Sequence, residues 1–220
     1  PQARQHGRRG GATPGQSQKG SVRSVVRKEQ AMDVDPVGYS VTCEAGCIRQ
    51  TRQEKAANHD RFLPLSLGAQ GSCMIGGNLS TNAGGVQVLR YGNARNLVMG
   101  LEVVLPNGDI WNGLRALKKD NTGYDLKHLF MGAEGTLGII TKAVLKIWPK
   151  PKDVATAWIA LRDPQAAIAI LSEAHAASED NPGSCALMSR AAPGGVLGRL
   201  PGPPAPPKAA PPPALRPPRP

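Results

Sequence analysis

The stretch Gly71-Ser-Cys-Met-Ile-Gly-Gly-Asn-Leu-Ser-Thr-Asn-Ala-Gly-Gly85 is the most informative part of this chain of 220 residues. It lies inside a longer window, from Phe62 to Leu89, that contains no Asp, Glu, Lys or Arg. Such a window is too polar for an ordinary core and too uncharged for an ordinary surface loop. Because glycine leaves backbone N–H groups uncovered, the stretch is suited to wrapping a large anionic ligand. We therefore expect the function to depend on this loop.

Four interpretations of the window compete. A Walker A loop requires Gly-Lys followed by Ser or Thr, and a Rossmann fingerprint requires Gly-x-Gly-x-x-Gly between a strand and a helix. The chain contains neither pattern. A purely structural loop is the third interpretation, but six glycines between Gly68 and Gly85 are many for turns alone. The fourth interpretation, which we favour, is a flavin nucleotide held by main-chain amides and small side chains.

A second glycine-rich segment supports the flavin interpretation. Gly132-Ala-Glu-Gly-Thr-Leu-Gly-Ile-Ile-Thr141 places glycines just before a predicted strand, where backbone can approach a ligand closely. The two segments are separated by a predicted hairpin, so both could close over one extended dinucleotide. Amide dipoles would then balance the diphosphate charge without Lys or Arg.

The net charge of +11 is distributed in a way that argues against a nucleic-acid partner. Residues 1–28 carry seven basic side chains and no acid, and residues 190–220 add five basic side chains. The intervening residues 29–189 sum to −1, from 15 basic and 16 acidic side chains. We therefore expect a neutral folded part with basic tails, and no nucleic-acid partner.

The four cysteines, Cys43, Cys47, Cys73 and Cys185, follow no zinc or haem spacing. Isolated cysteines usually pack as small hydrophobic residues, so we expect no metal site. Reduced thiols indicate a cytoplasmic location, and the basic, acid-poor leader favours a mitochondrial location as the alternative. No apolar run has the length of a transmembrane helix.

Hydrophobic periodicity and turn residues predict the elements of two units. In the first unit, strands are expected at 39–45, 97–105, 109–111 and 138–148, and helices at 47–59 and 125–131. Asn107-Gly108 predicts a hairpin between two of those strands. In the second unit, a strand is expected at 154–161, a helix at 165–177 and a short strand at 185–188. Asp163 and Pro164 are typical of a helix start.

Six segments, in this order along the chain, resemble one family. They are Pro64–Gly68, Gly71–Gly85, Arg90–Asn93, Leu101–Gly108, Asn121–Lys127 and Gly132–Thr141. Together they resemble the FAD-binding domain of the vanillyl-alcohol oxidase/p-cresol methylhydroxylase family. Within that family, they are most similar to the branch of D-2-hydroxyglutarate dehydrogenase, D-lactate dehydrogenase and the glycolate oxidase FAD subunit. The resemblance runs from about Val34 to about Ser189.

The resemblance implies an α+β fold, a PCMH-type FAD-binding domain represented mostly by its C-terminal subdomain. On this basis residues 1–32 are a disordered or non-family basic leader, and 33–152 are the FAD-binding domain without its N-terminal part. Residues 153–189 then begin a truncated FAD-linked oxidase cap domain, and 190–220 form a proline-rich disordered tail. The family also has a glycine-rich turn upstream of the first predicted strand, and Gly10-Gly-Ala-Thr-Pro-Gly15 resembles this turn only weakly.

The resemblance also implies non-covalently bound FAD and oxidation of a D-2-hydroxy acid, a small molecule, to the 2-oxo acid. A base takes the hydroxyl proton while the Cα hydrogen passes as hydride to flavin N5. The electron acceptor is not specified. The implied cofactor-binding residues are Gly68, Gly71, Ser72, Cys73, Gly76, Gly77, Asn78, Thr81, Asn82, Ala83, Gly84, Glu134, Gly135, Thr136, Leu137, Gly138, Ile139 and Ile140. Three apolar residues are equally compatible with a place in the hydrophobic core and with contact to the cofactor, namely Ile75, Leu79 and Leu137.

No catalytic residue is assigned, because the family's substrate arginine, metal ligands and general base have no counterpart in this chain. His59, His128 and His175 are candidates for the base. His128 lies nearest the flavin segments, and we favour a structural role for it. One alternative stays open, a truncated and catalytically silent FAD-binding fragment whose ends were translated in the wrong frame.

Overall fold

The computed structural model describes residues 32–68, 71–179 and 181–188. The predictions for residues 1–31 and 190–220, including the glycine turn at 10–15, lie outside the described residues. The chain divides into two compact units between Pro151 and Lys152, and each unit is described by itself.

The first unit combines seven short strands with five short helices among the described residues. Its strands are β1 (Met32–Asp35), β2 (Ser40–Glu44), β3 (Arg61–Phe62), β4 (Val98–Val104), β5 (Ile110–Gly113), β6 (Ile139–Lys146) and β7 (Trp148–Pro149). Its helices are α1 (Arg49–Ala57), α2 (Ile75–Ser80), α3 (Val88–Tyr91), α4 (Ala94–Leu97) and α5 (Lys127–Phe130). The predicted α+β class is confirmed.

Five of the strands form one antiparallel sheet in the order β1-β2-β6-β4-β5, and β3 pairs with β7 separately. The strand β6 is rich in β-branched and aliphatic residues, which suits a strand paired on both sides. It lies between β2 and β4, so the end of the unit is inserted between two earlier strands. The predicted strands at 39–45, 97–105, 109–111 and 138–148 correspond to β2, β4, β5 and β6.

The predicted hairpin is confirmed at the turn between β4 and β5. Leu105 N–H donates to the carbonyl oxygen of Asp109 at 2.8 Å, and Gly108 N–H donates to the carbonyl oxygen of Leu105 at 2.9 Å. The side chain of Asn107 accepts a further hydrogen bond from Asp109 N–H at 3.1 Å. The turn residues therefore close the hairpin themselves.

The core lies on one face of the five-stranded sheet. Alternate residues of the three central strands point into it, namely Val41, Cys43, Leu101, Val103, Ala143 and Leu145. The facing residues come from the connecting segments, namely Leu63, Leu65, Ile75, Leu79, Leu97 and Met131. Four of those six belong to the uncharged window, so this window forms part of the core as well as a loop.

The helix α2 was not predicted, because the sequence from Ile75 to Ser80 contains two glycines and favours a loop. Tertiary contacts stabilise it instead. Gly76 N–H donates to the carbonyl oxygen of Ala45 at 2.9 Å, and Ile75 N–H donates to the carbonyl oxygen of Cys47 at 3.4 Å. A Cβ added at Gly76 would lie 2.8 Å from the Cβ of Ala45, so glycine permits this close approach.

The second unit contains the predicted helix, α6 (Pro164–Ala177). The side chain of Asp163 accepts a hydrogen bond from Ala166 N–H at 2.8 Å, as an N-cap should. The strands expected at 154–161 and 185–188 are wrong, because these residues take no regular conformation. Val154 and Trp158 are exposed. Within the described residues, no strand pairs with the segment 154–161. A β-prone pattern without a partner strand does not form a strand.

Replacing Leu101 with Ala should destabilise the first unit strongly. Leu101 lies in β4 and is 0% exposed, so the substitution leaves a cavity that costs about 2–5 kcal/mol. Leu117→Ala is the matched control, since that side chain is 61% exposed and its loss should change the free energy of unfolding by about 0.5 kcal/mol or less. Urea unfolding of both variants measures the difference, and equal losses would contradict this placement of the core.

Replacing Gly76 with Ala should also destabilise the chain. Crowding against Ala45 costs about 1–3 kcal/mol, whereas alanine in place of a helical glycine returns only about 1 kcal/mol. Gly68→Ala is the control, because a Cβ there meets nothing within 4 Å. Thermal unfolding should show a lower midpoint for Gly76→Ala alone, and a raised midpoint would show that α2 does not pack against β2 this closely.

Candidate cofactor site

The first glycine segment forms a loop whose two ends meet. Val86 N–H donates to the carbonyl oxygen of Ser66 at 2.9 Å. Gly85 has a φ of 85° and faces the same oxygen, which would lie 2.2 Å from an added Cβ. Glycine is therefore required at this closing point, where Val86 is held against Ser66.

The inner part of the loop is buried against the sheet. Cys73, Gly76 and Asn78 are buried, and Asn78 Nδ2 lies 3.5 Å from the Sγ atom of Cys73. The amide of Gly76 already donates to Ala45, as described above, so it is not available to a ligand. The Gly76 N–H group, which we expected to bind a diphosphate, therefore stabilises the fold instead.

The outer part of the loop is more open. Gly68, Gly71 and Thr81 are exposed, while Ser72, Gly77, Ala83 and Gly84 are half-buried. Asn82 is half-buried and has a left-handed backbone with a φ of 48°. Its side-chain oxygen accepts a hydrogen bond from Arg95 N–H at 3.0 Å, which fixes the loop to the start of α4.

The second segment is a turn that leads into β6. Glu134, Thr136 and Leu137 are exposed, and Glu134 has a left-handed φ of 52°. The remaining predicted residues divide between partial and full burial: Gly135, Gly138 and Ile139 are half-buried, and Ile140 belongs to the core. A Cβ on Gly138 would lie 2.6 Å from Cγ1 of Val103, so packing on β4 accounts for that glycine.

The two segments adjoin at the C-terminal end of α2. Gly132 N–H donates to the carbonyl oxygen of Leu79 at 3.0 Å, and Glu134 N–H donates to that of Ser80 at 2.9 Å. An added Cβ on Gly132 would lie 3.5 Å from the Cβ of Asn82. The structure therefore brings Thr81–Gly84 and the turn at Glu134 together, as one ligand contacting both segments requires.

Arg95 is a residue that the sequence analysis missed. Its Nη1 donates to the carbonyl oxygen of His128 at 2.8 Å and lies 3.1 Å from His128 Nδ1, and its Nη2 donates to the carbonyl oxygen of Met131. His128 Nε2 lies 3.2 Å from Oδ2 of Asp125. The structure thus places His128 in a packing network next to the site, in line with the structural role that we favoured.

Several observations fit the site to FAD. Within the described residues, the buried side-chain oxygen of Gln87 accepts no hydrogen bond, so a ligand N–H group could satisfy it. Val86, Leu89 and Leu137 are exposed apolar residues in or next to the two segments, and such residues suit the face of an aromatic ring system. Ile75 and Leu79, which could have been core or contact, belong to the core.

Other site types receive no support from the described part of the chain. Across those residues, His, Cys, Asp and Glu side chains form no group of three that could hold a metal ion. Every described helix is too short or too polar to span a bilayer.

Comparisons with known proteins identify the family. A model of the FAD binding domain matches residues 3–113, which is half of the chain. The chain is 45% identical over 159 residues to a mitochondrial D-2-hydroxyglutarate dehydrogenase of Bos taurus, covering 72% of this chain and 29% of that protein. It is 51% identical over 130 residues to the mitochondrial enzyme of Danio rerio, covering 59% of this chain and 24% of that protein.

Two further similarities agree with this family. A D-2-hydroxyglutarate–pyruvate transhydrogenase of Saccharomyces cerevisiae is 47% identical over 131 residues, covering 60% of this chain and 26% of that protein. A solved alkyldihydroxyacetonephosphate synthase has a TM-score of 0.52 and 26% identity, covering 59% of this chain and 23% of that one.

The chain spans between 24% and 29% of the length of these three enzymes. The resemblance to the vanillyl-alcohol oxidase type of flavoprotein is confirmed. The chain belongs to the FAD binding domain family, and its cofactor is FAD.

Proposed function

We propose that this chain supplies FAD-binding surface to a dehydrogenase that oxidises a D-2-hydroxy acid to the 2-oxo acid. The observation that carries the proposal is the junction of the two glycine segments at the end of α2, where Gly132 and Glu134 donate to Leu79 and Ser80. The family match and relatives that are named D-2-hydroxyglutarate dehydrogenases support the same function.

The substrate that we propose is D-2-hydroxyglutarate, after the names of those relatives. When bound, the flavin supplies the redox chemistry by accepting a hydride from the substrate. The residues of this chain bind and orient the flavin, and we assign no proton transfer to them. His128 contacts Arg95 and Asp125 instead.

Within the site, we propose two kinds of contact. Exposed and half-buried residues meet the cofactor directly, and these are Gly68, Gly71, Ser72, Gly77, Thr81, Asn82, Ala83, Gly84, Glu134, Gly135, Thr136, Leu137 and Ile139. The backbone N–H groups of Thr81, Asn82, Ala83, Glu134 and Thr136 already donate within the fold, so these five residues contact the cofactor through other atoms. Buried or tightly packed residues shape the backbone beneath it, and these are Cys73, Gly76, Asn78, Gly138 and Ile140. Gln87 is added as a candidate acceptor.

The compartment that we propose is the mitochondrion, in preference to the cytoplasm. The names of the animal and plant relatives place those enzymes there. Fractionation of source cells with an antibody to this chain tests the proposal, and recovery in the cytosolic fraction alone would contradict it.

The purified chain should bind FAD and lose the absorbance of the oxidised flavin on anaerobic addition of D-2-hydroxyglutarate. Each bleached flavin should yield one 2-oxoglutarate, because the hydride comes from the substrate carbon that bears the hydroxyl group. The L-enantiomer is the control and should leave the spectrum unchanged. Flavin that stays oxidised with D-2-hydroxyglutarate and D-lactate alike would exclude dehydrogenase activity for this chain.

A second candidate is a chain that binds FAD without oxidising a 2-hydroxy acid by itself. Its support is that the described residues supply no general base, since His128 contacts Arg95 and Asp125. The same titration separates the two candidates. Bound flavin without bleaching favours the second, and bleaching favours the first.

Replacing Leu137 with Asp should weaken FAD binding about tenfold, equivalent to about 1.4 kcal/mol, because a carboxylate would replace an apolar contact near an anionic cofactor. Leu137 is 47% exposed, so the fold should tolerate the change. The control is Val37→Asp in the turn between β1 and β2, where the side chain is 86% exposed and lies at the opposite end of the sheet from the start of β6. Fluorescence titration with FAD measures both dissociation constants, and equal effects would place Leu137 outside the site.

A further inference from the structure

The Arg95 guanidinium joins parts of the chain that are far apart in sequence. From α4 it reaches the carbonyl oxygens of His128 and Met131, at the two ends of the segment that precedes the second glycine turn. The backbone N–H of Arg95 donates to the side-chain oxygen of Asn82, in the first glycine segment. An added Cβ on Gly132 would lie 3.4 Å from Arg95 Nη2. One residue therefore contacts the first cofactor segment and the residue immediately before the second.

The contact with His128 specifies which nitrogen of the ring carries the proton. An arginine side chain only donates, so His128 Nδ1, 3.1 Å from Arg95 Nη1, must accept. His128 Nε2 then carries the hydrogen and donates to Asp125 at 3.2 Å. The network assigns a neutral imidazole with its proton on Nε2.

The charged groups that face His128 come from two elements. Arg95 approaches from α4, and Asp125 and Lys127 lie on or just before α5, with Lys127 Nζ on the Asp125 carboxylate. Burial lowers the pKa of His128 below its ordinary value; Asp125 opposes this shift, and Lys127 and Arg95 reinforce it. The folded state therefore favours the neutral ring that the Arg95 contact requires.

The direction of the pH effect follows from that preference. A histidine whose pKa is lower in the folded state stabilises the fold above its unfolded pKa of about 6.5. This contribution is lost as the pH falls through the lower folded value. Protonation removes the lone pair of Nδ1 and places a second positive charge beside Arg95, so the contact becomes repulsive.

We propose that Arg95 is a positioning residue for FAD, which holds the two cofactor segments together, and that protonation of His128 releases this hold. The proposal rests on the proposed FAD site. We call the pair formed by the Arg95 guanidinium and the neutral His128 imidazole the clamp. The clamp affects the cofactor indirectly, by positioning Asn82 and the turn at Gly132. Acidification should therefore weaken FAD binding without any change in the residues that contact FAD.

The experiment is a fluorescence titration of the full chain with FAD between pH 5 and pH 8. For the unaltered chain, the dissociation constant should rise about tenfold as the pH falls through the lowered pKa of His128. His128→Gln keeps an uncharged side-chain oxygen that can accept from Arg95, so it should bind FAD tightly at pH 8 and show little rise at pH 5. Arg95→Met should bind about tenfold more weakly at pH 8, and Arg95→Lys should recover part of that loss.

Two matched controls isolate the clamp. Arg90→Met removes an exposed arginine that lies over the Tyr91 ring, and His59→Gln removes an exposed histidine. Both variants should keep the affinity and the pH profile of the unaltered chain. Far-UV circular dichroism and the thermal midpoint at pH 8 show whether each variant is folded.

Hydrogen exchange supplies a readout that does not need FAD. The amides of Gly132 and Glu134 should lose protection as the pH falls through the lowered pKa of His128 in the unaltered chain, after correction for the intrinsic exchange rate. In His128→Gln this loss should be absent.

The outcomes separate the two proposals. A chain that binds no FAD at pH 8 overturns the proposed function, and the role of Arg95 in cofactor binding falls with it. A chain that binds FAD with a pH profile unchanged by His128→Gln overturns the clamp alone. Full affinity of a folded Arg95→Met variant at pH 8 does the same.

Discussion

The pairing of β6 with both β2 and β4 is the constraint on which the rest of the first unit depends. It brings Ala45, at the end of β2, under α2, and it brings Gly138, at the start of β6, against Val103 of β4. Ala45 N–H also donates to the carbonyl oxygen of Thr141 at 2.8 Å. Both glycine segments are therefore positioned by the same strand, although the 46 residues 86–131 separate them along the chain. The cofactor site is a consequence of this strand order.

Those elements whose signal is local could be predicted from the sequence. The strand β2 alternates, β6 is a run rich in Ile and Val, β4 and β5 flank the Asn107-Gly108 turn, and α6 has its capping residue Asp163. The helix α2 could not be predicted, since its hydrogen bonds to Ala45 and Cys47 replace the propensity that its glycines lack. The strand at 154–161 was predicted wrongly. Its residue pattern indicates side chains that suit a sheet surface, but a strand forms only where a neighbouring strand pairs with it.

The candidate site divides in the same way. Family motifs identified the glycine segments, but they did not distinguish glycines that a ligand needs from glycines that packing needs. Gly76 packs against Ala45 and Gly138 packs against Val103, and such contacts become visible only in the folded structure. Arg95 and His128 are 33 residues apart, and neither stands in a recognisable pattern. Side-chain contacts of this kind leave no periodic signal, so sequence reasoning could identify His128 only as a lone histidine near the motifs.

The uncharged window contributes Leu63, Leu65, Ile75 and Leu79 to the core while its remaining residues line the loop. A core side chain cannot leave its place without exposing apolar surface to water, so the loop cannot open far as an independent lid. By mass action, a ligand bound here raises the free energy of unfolding of the same core. Loss of the cofactor and loss of the fold are, in this molecule, coupled equilibria.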